Sequence, residues 1–156
     1  MTRKDIAQII YIGRMHDIGK IGVPDNVLNK NGRLSEDEYE TMKRHTVIGS
    51  DIIGNMDTVE GLKDGVRHHH ERYDGTGYPD GLKGKDISLF ARILCLADCY
   101  DAMTTDRVYR KRLPKEMVIE EIEKNKGKQF DPDLADIVLE MIKNDEMLAN
   151  ICHSSI

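Results

Sequence analysis

His69-His70-Glu71-Arg72-Tyr73-Asp74-Gly75-Thr76-Gly77-Tyr78-Pro79 sets two adjacent imidazoles against a loop that only glycine and proline could shape. The segment before it, Val59 to Glu71, has no proline and carries Leu62, Val66, His69 and His70 at steps of four, three and one. That spacing predicts a helix on which both histidines share a face with apolar residues and look inward. Neutral imidazole binds Zn, Fe, Mn or Ni, and a buried pair at a helix end exceeds what packing alone requires. His68 turns about 100° away on such a helix and is expected to face solvent.

The chain has 156 residues, one domain by length over 1–156, with a core large enough to need no disulfide or structural metal. With 23 basic against 28 acidic residues the formal charge is -5, which argues against polymeric nucleic acid as a partner. An anionic substrate would need local positive charge from metal ions or a few placed Lys and Arg. No apolar run reaches the ~18 to 20 residues of a membrane span; Ile87 to Ala97 is broken by Arg92. The start, Met-Thr-Arg-Lys-Asp, lacks the apolar region of a signal peptide. Three cysteines suggest no disulfide framework, Cys95 and Cys99 reading as small apolar residues of one helix, so the expected location is the reducing cytoplasm.

Along the chain, residues 5 to 18 carry Ile6, Ile9, Ile10 and Gly13 at helical spacing, and His16 and Asp17 continue that inward stripe. Ser35-Glu36-Asp37-Glu38 is a capping box opening a helix through Tyr39, Met42, His45, Gly49, Ile52 and Ile53, with a bend or close contact at Gly49 and Gly54. His45 therefore points inward. Ser88 to Thr105 is the most apolar helix, yet it carries Asp98 and Asp101, acids that a core tolerates only beside positive charge. Pro114 opens a helix through Lys124, and Asp131-Pro132 supplies an N-cap and N1 proline for a last helix to about Asn144, after which the tail is expected to fray. With no convincing period-two alternation, the fold class is all-α, a compact multi-helix bundle.

The inward polar residues are His16, Asp17, His45, His69, His70 and Asp98, from four helices. One catalytic ion rarely takes six protein ligands, whereas two ions sharing a carboxylate use them sensibly, and Asp17 is the natural bridge. Imidazole and carboxylate without thiolate leaves Fe, Mn, Zn and Ni open. Two such ions activate water and stabilise charge at phosphorus, an arrangement suited to phosphate esters. Lys20, on the same face if the helix persists, would meet a phosphate oxygen or leaving group; its structural alternative is a lysine countering the helix dipole.

His16-Asp17-Ile18-Gly19-Lys20, His45, His69-His70-Glu71, Asp74-Gly75-Thr76-Gly77-Tyr78-Pro79, Asp98, Asp101 and Gln129-Phe130-Asp131-Pro132 together resemble the HD-GYP family of the HD phosphohydrolase superfamily. The resemblance implies an all-helical HD fold and hydrolysis of cyclic di-GMP, a bacterial second messenger, to pGpG or GMP by a metal-bridging hydroxide. It implies two or three metals, often iron or manganese, and gives ligand roles to His16, Asp17, His45, His69, His70 and Asp98. Asp17, Lys20 and Asp101 would be catalytic. Lys20, Asp101, Arg107 and Arg110 would lie near the phosphates or guanines, and Gly77, Tyr78 and Pro79 would form a loop beside the site that also touches diguanylate cyclase domains. Glycine would give that loop positive φ and proline stiffness.

The sequence departs from the family in one respect: its first fifteen residues hold no histidine, where the family carries a further ligand on a preceding helix. The expectation is an N-terminally truncated bundle with at most two protein-held metal ions and weakened occupancy at one. Apolar surface would be left around Ile6, Ile9 and Ile10, which a second copy would cover. The alternatives are a regulatory module that binds cyclic dinucleotides or cyclase domains without turnover, and a mononucleotide phosphohydrolase.

Overall fold

The computed structural model describes residues 1–54, 59–106 and 111–144. The fold is all-α, as expected: among the described residues there is no strand, only an isolated bridge between Lys126 and Phe130. Helix α1 (Arg3–Met15) is opened by a capping box of Thr2 and Asp5 and ends before the expected residue 18. His16 caps it, Asp17 leaves it, and Ile18–Gly22 winds into a 3₁₀ turn. The short α2 (Asp25–Leu28) follows.

The expected long helix from Ser35 is two helices, α3 (Glu36–Lys43) and α4 (His45–Ile53), and the break falls at Arg44 rather than at a glycine. Ser35 caps α3 through the foreseen box with Glu38. Gly49 makes a close contact: a Cβ on Gly19 would lie 1.9 Å from the His45 carbonyl and 2.4 Å from the Gly49 amide, so the 3₁₀ turn packs backbone to backbone on α4. Gly54, at φ 55°, ends α4.

Helix α5 (Leu62–His68) stops one residue short of the histidine pair, which sits at its C-terminal turn. Helix α6 (Leu89–Thr104), capped by Ser88, is the spine. Its Leu94 joins Ile12, Ile53, Leu62 and Val66 in a small core beside the histidines. Its Cys95, Leu96, Tyr100 and Met103 join α7 (Lys115–Asn125) and α8 (Pro132–Lys143) in a larger one with Val118, Ile122, Phe130, Ala135, Leu139 and Ile142. Asp131 caps α8 as foreseen and is buried, held by Arg92 and by Lys85 at 3.0 Å. Burying that carboxylate is tolerable because two cations and an amide N–H meet it.

The inward stripe expected on α1 is corrected. Ile12 is its buried residue, while Ile6 and Ile10 are 48% and 53% exposed and Ile9 half-buried. The exposed apolar surface expected at the first helix is thus present at Ile6 and Ile10. No helix among the described residues is long and apolar enough to cross a membrane.

Candidate metal centre

Five of the six candidate ligands sit at helix termini. His16 and Asp17 follow α1, His45 opens α4, His69 and His70 follow α5, and Asp98 comes from the middle of α6. At a helix terminus the last carbonyls lack intrahelical partners. The histidines use them: His16 Nδ1 donates to Gly13 O at 2.5 Å, His45 Nδ1 to Met42 O at 2.7 Å and His69 Nδ1 to Val66 O at 2.7 Å. Each bond fixes the ring; at His45 and His69 it leaves Nε2 with its lone pair directed into the centre, and at His16 it turns Nε2 toward Asp17.

Those lone pairs converge. His45 Nε2 and His69 Nε2 are 3.3 Å apart, and His45 Nε2 is 3.5 Å from Asp17 Oδ1, a buried oxygen with no hydrogen-bond partner. His16 Nε2 lies 3.3 Å from Asp17 Oδ2 and 3.9 Å from Asp98 Oδ1. Two overlapping ligand groups result, His45 with His69 and His70, and His16 with Asp17 and His69. Asp17 faces both through different oxygens. Asp98 stands at the rim, its side chain 35% exposed.

The electrostatics match a cation rather than a proton. Burial, then repulsion from His70, pushes His69 down to about 2. Burial, then repulsion from His45, pushes His70 down to about 4, and burial lowers His45 as well. These rings are neutral near pH 7, so two lone pairs confront each other across 3.3 Å with no proton to share. His16 is the exception, held above its ordinary value chiefly by its hydrogen bond to Asp17. Burial opposes ionisation of Asp17, but His16 and Lys20 outweigh it and hold the carboxyl well below the usual range. An orphaned buried carboxylate oxygen among convergent imidazole lone pairs is a donor set that fits divalent metal ions.

Around this centre, Lys20 Nζ lies 2.5 Å from Asp17 Oδ2. The helix does not persist to carry it there; the 3₁₀ turn does. Tyr78 stacks on His70 with ring centroids 5.0 Å apart at 30°, and the Tyr78-Pro79 peptide is cis. Burial pushes the Tyr78 hydroxyl upward, so it stays protonated. The two loop glycines differ in purpose. Gly75 takes φ 85°, whereas Gly77 is needed for space, since a Cβ there would lie 2.3 Å from the Arg72 amide nitrogen.

Asp101 is exposed on α6, a turn beyond Asp98, where its carboxylate accepts from Thr105 Oγ1 at 3.1 Å; it is not one of the clustered residues. Arg107 and Arg110 lie outside the described residues.

Two residues had structural roles that spacing did not reveal. Glu71 is buried and accepts from the amides of Asp80 (2.7 Å), Gly81 (3.0 Å) and Leu82 (3.1 Å), closing the loop back beneath His70. An acid directly after the histidine pair was the available signal. His68 is not solvent-facing: Asp64 at 2.7 Å and Asp80 at 2.8 Å engage its two nitrogens, and these bonds overcome burial to raise its affinity for protons.

Fold and centre together define an all-α protein whose helix ends gather a His/Asp cluster that could hold divalent metal. A family model described as HD domain matches residues 6–134. The chain belongs to the HD domain family, a metal-dependent one. It is 39% identical over 145 residues to a cyclic di-GMP phosphodiesterase of Thermotoga maritima, covering 92% of this chain and 39% of the relative. It is 39% identical over 142 residues to the cyclic di-GMP phosphodiesterase response regulator RpfG of Xanthomonas campestris, covering 89% and 37%. A 3'3'-cGAMP-specific phosphodiesterase 2 of Vibrio cholerae is 36% identical over 128 residues, covering 81% and 24%. The crystal structure of a cyclic GMP-AMP-specific phosphodiesterase of Vibrio cholerae matches with a TM-score of 0.72 and 20% identity, over 99% of this chain and 42% of that one, which shows the fold. The chain therefore spans less than half the length of each of these relatives.

Proposed function

We propose that this chain is a metal-dependent phosphodiesterase that hydrolyses cyclic di-GMP to pGpG or GMP. One observation carries the reading: in two ligand groups that share His69, Asp17 presents Oδ2 to His16 of one and its buried, unpartnered Oδ1 to His45 of the other. His16, Asp17, His45, His69, His70 and Asp98 would hold two ions, with Asp17 common to both. Iron or manganese follows from the HD-GYP resemblance, and zinc or nickel suits the same donors. Divalent ions there supply Lewis acidity, making water nucleophilic near neutral pH and absorbing charge that develops at phosphorus.

The protein's own contribution is positioning. Lys20 brings an ammonium to the rim of the centre, where it can meet a phosphate oxygen in a chain of net charge -5. Tyr78 covers His70 and keeps water from one side. Glu71, by fixing residues 80–82, holds that loop in place. The relatives' names support the substrate, since two act on cyclic di-GMP and one on 3'3'-cGAMP.

The test is product chromatography after incubating anaerobically purified protein with cyclic di-GMP and added Mn(II) or Fe(II). Linear pGpG or GMP is expected from wild type, and Asp17→Ala should lower turnover by about 10³ or more while helical circular dichroism stays near wild type. Turnover surviving that change would overturn the bridging role. Binding of cyclic di-GMP without product would favour a regulatory module.

Two partner proposals follow. The exposed Ile6 and Ile10 support pairing of two copies along α1, and a clean monomer by light scattering at micromolar concentration would overturn it. The family resemblance suggests a diguanylate cyclase domain at the Gly77-Tyr78-Pro79 loop. Tyr78 is half-buried against His70 and Tyr39, so such a partner would meet chiefly the exposed Asp80, Gly81 and Lys83. Loss of co-elution on changing Lys83→Glu would support that contact.

A further inference from the structure

Helix α3 buries none of its own residues, yet it closes one side of the centre. Its end is tied to a candidate ligand, because Met42 O accepts from His45 Nδ1 at 2.7 Å. Two of its side chains are thereby held against the loop. Tyr39 meets Tyr78 edge to face, with centroids 6.4 Å apart at 80°, and Lys43 Nζ lies 5.3 Å from the Tyr39 centroid and 5.6 Å from that of Tyr78. His70, Tyr78 and Tyr39 so form a row of rings leading outward from the centre. Tyr39, at its outer end, is 48% exposed.

A tyrosine placed this way contributes little core, since it leaves about half its surface in water. It offers what a nucleobase needs, a fixed π face beside a phosphate-binding centre. Lys43 is paired with Glu40 at 2.5 Å, which leaves part of its three-donor ammonium for other acceptors. Guanine presents O6 and N7 acceptors on one edge, where adenine places an amino donor beside N7.

We propose that Tyr39 and Lys43 form the base-recognition wall of the centre, with a purine of the dinucleotide stacked on Tyr39 and its acceptor edge met by Lys43, which favours guanine over adenine. This rests on the phosphodiesterase reading above and adds its specificity.

Steady-state kinetics of the metal-loaded full chain test it with three substrates: cyclic di-GMP, cyclic di-AMP and bis(p-nitrophenyl) phosphate, a small diester with no purine. Tyr39→Leu raises KM for cyclic di-GMP about tenfold, with kcat changing far less. Its specificity constant for cyclic di-GMP relative to the small diester falls by a similar factor, and Tyr39→Phe restores it. Lys43→Met lowers the preference for cyclic di-GMP over cyclic di-AMP about tenfold. Equal losses on cyclic di-GMP and the small diester in Tyr39→Leu would show that the ring only packs α3 on the loop, and an unmoved KM would also overturn the proposal. Failure of wild type to cleave any diester would overturn the phosphodiesterase reading, and this inference with it.

Discussion

The two cores on either side of α6 are built differently. Toward α7 and α8 the chain packs aliphatic and aromatic side chains around Ile122 and Phe130, and no candidate ligand lies among them. Toward α1, α4 and α5 the apolar core is small, and the elements approach through Gly19, Gly49 and Gly65, where backbone meets backbone or a single methyl. Four imidazoles and a carboxylate occupy the space that side chains fill on the other side. The first region is built mainly on hydrophobic burial, whereas the second places convergent lone pairs that a cation would relieve. One half supplies stability and the other spends it on the centre.

That contrast breaks most sharply with a pair of substitutions. Gly19→Ala drives a Cβ into the His45 carbonyl at 1.9 Å. It should cost about 3 kcal/mol or more and lower metal bound per folded chain, as read by denaturant midpoint and elemental analysis. Ile122→Ala, wholly buried in the other core, should cost about 2 to 5 kcal/mol while metal per folded chain stays at the wild-type value. If both lose metal alike, the halves are not separable.

Ligand binding sharpens the comparison next. Divalent metal at a hundred times its dissociation constant should stabilise the chain by about 2.7 kcal/mol, a rise in Tm of roughly 5 to 10 °C. The gain should vanish in Asp17→Ala.

Between pH 8 and 5 the metal-free chain should respond to acid chiefly through the half that holds the histidines. His69 and His70 stay neutral when folded down to about 2 and about 4, whereas an unfolded imidazole takes its proton near 6.5. Between pH 6.5 and 4 the unfolded state binds more protons, so stability falls with pH by up to about 1.4 kcal/mol per unit for each ring. His16, raised by Asp17, acts in the opposite sense: its contribution is present below 6.5 and lost as pH rises through its folded pKa. Denaturation of chelator-treated protein at pH 8, 6.5 and 5 should show the lowest midpoint at pH 5. A flat profile would contradict the burial of the pair. The smallest effect belongs to Ser35→Ala, which removes the cap of α3 and should cost about 1 kcal/mol in the same assay.

Much of this was legible in the residues because helix signals are local. The capping box at Ser35 and the Asp131-Pro132 start of α8 sit where side-chain oxygens and a fixed φ dictate. The candidate ligands came from polarity on apolar faces, and the structure brings five of the six within a common centre with Asp98 at its rim. What stayed hidden depended on distant backbone. Periodicity carried α1 past Met15 and joined α3 to α4, because it cannot see that ring nitrogens at the termini would take the last carbonyls. Nor could spacing show that Ile12 rather than Ile6 and Ile10 meets Leu94, that His68 would find Asp80 twelve residues on, or that Gly77 is glycine for want of room.

Two cations sharing Asp17 are what the proposed chemistry requires, and metal content reads that directly. Anaerobically purified wild-type chain, saturated with Mn(II) or Fe(II) and freed of excess by gel filtration, should carry two ions per chain by elemental analysis. One ion or none, with Asp17→Ala binding as much as wild type, would contradict it.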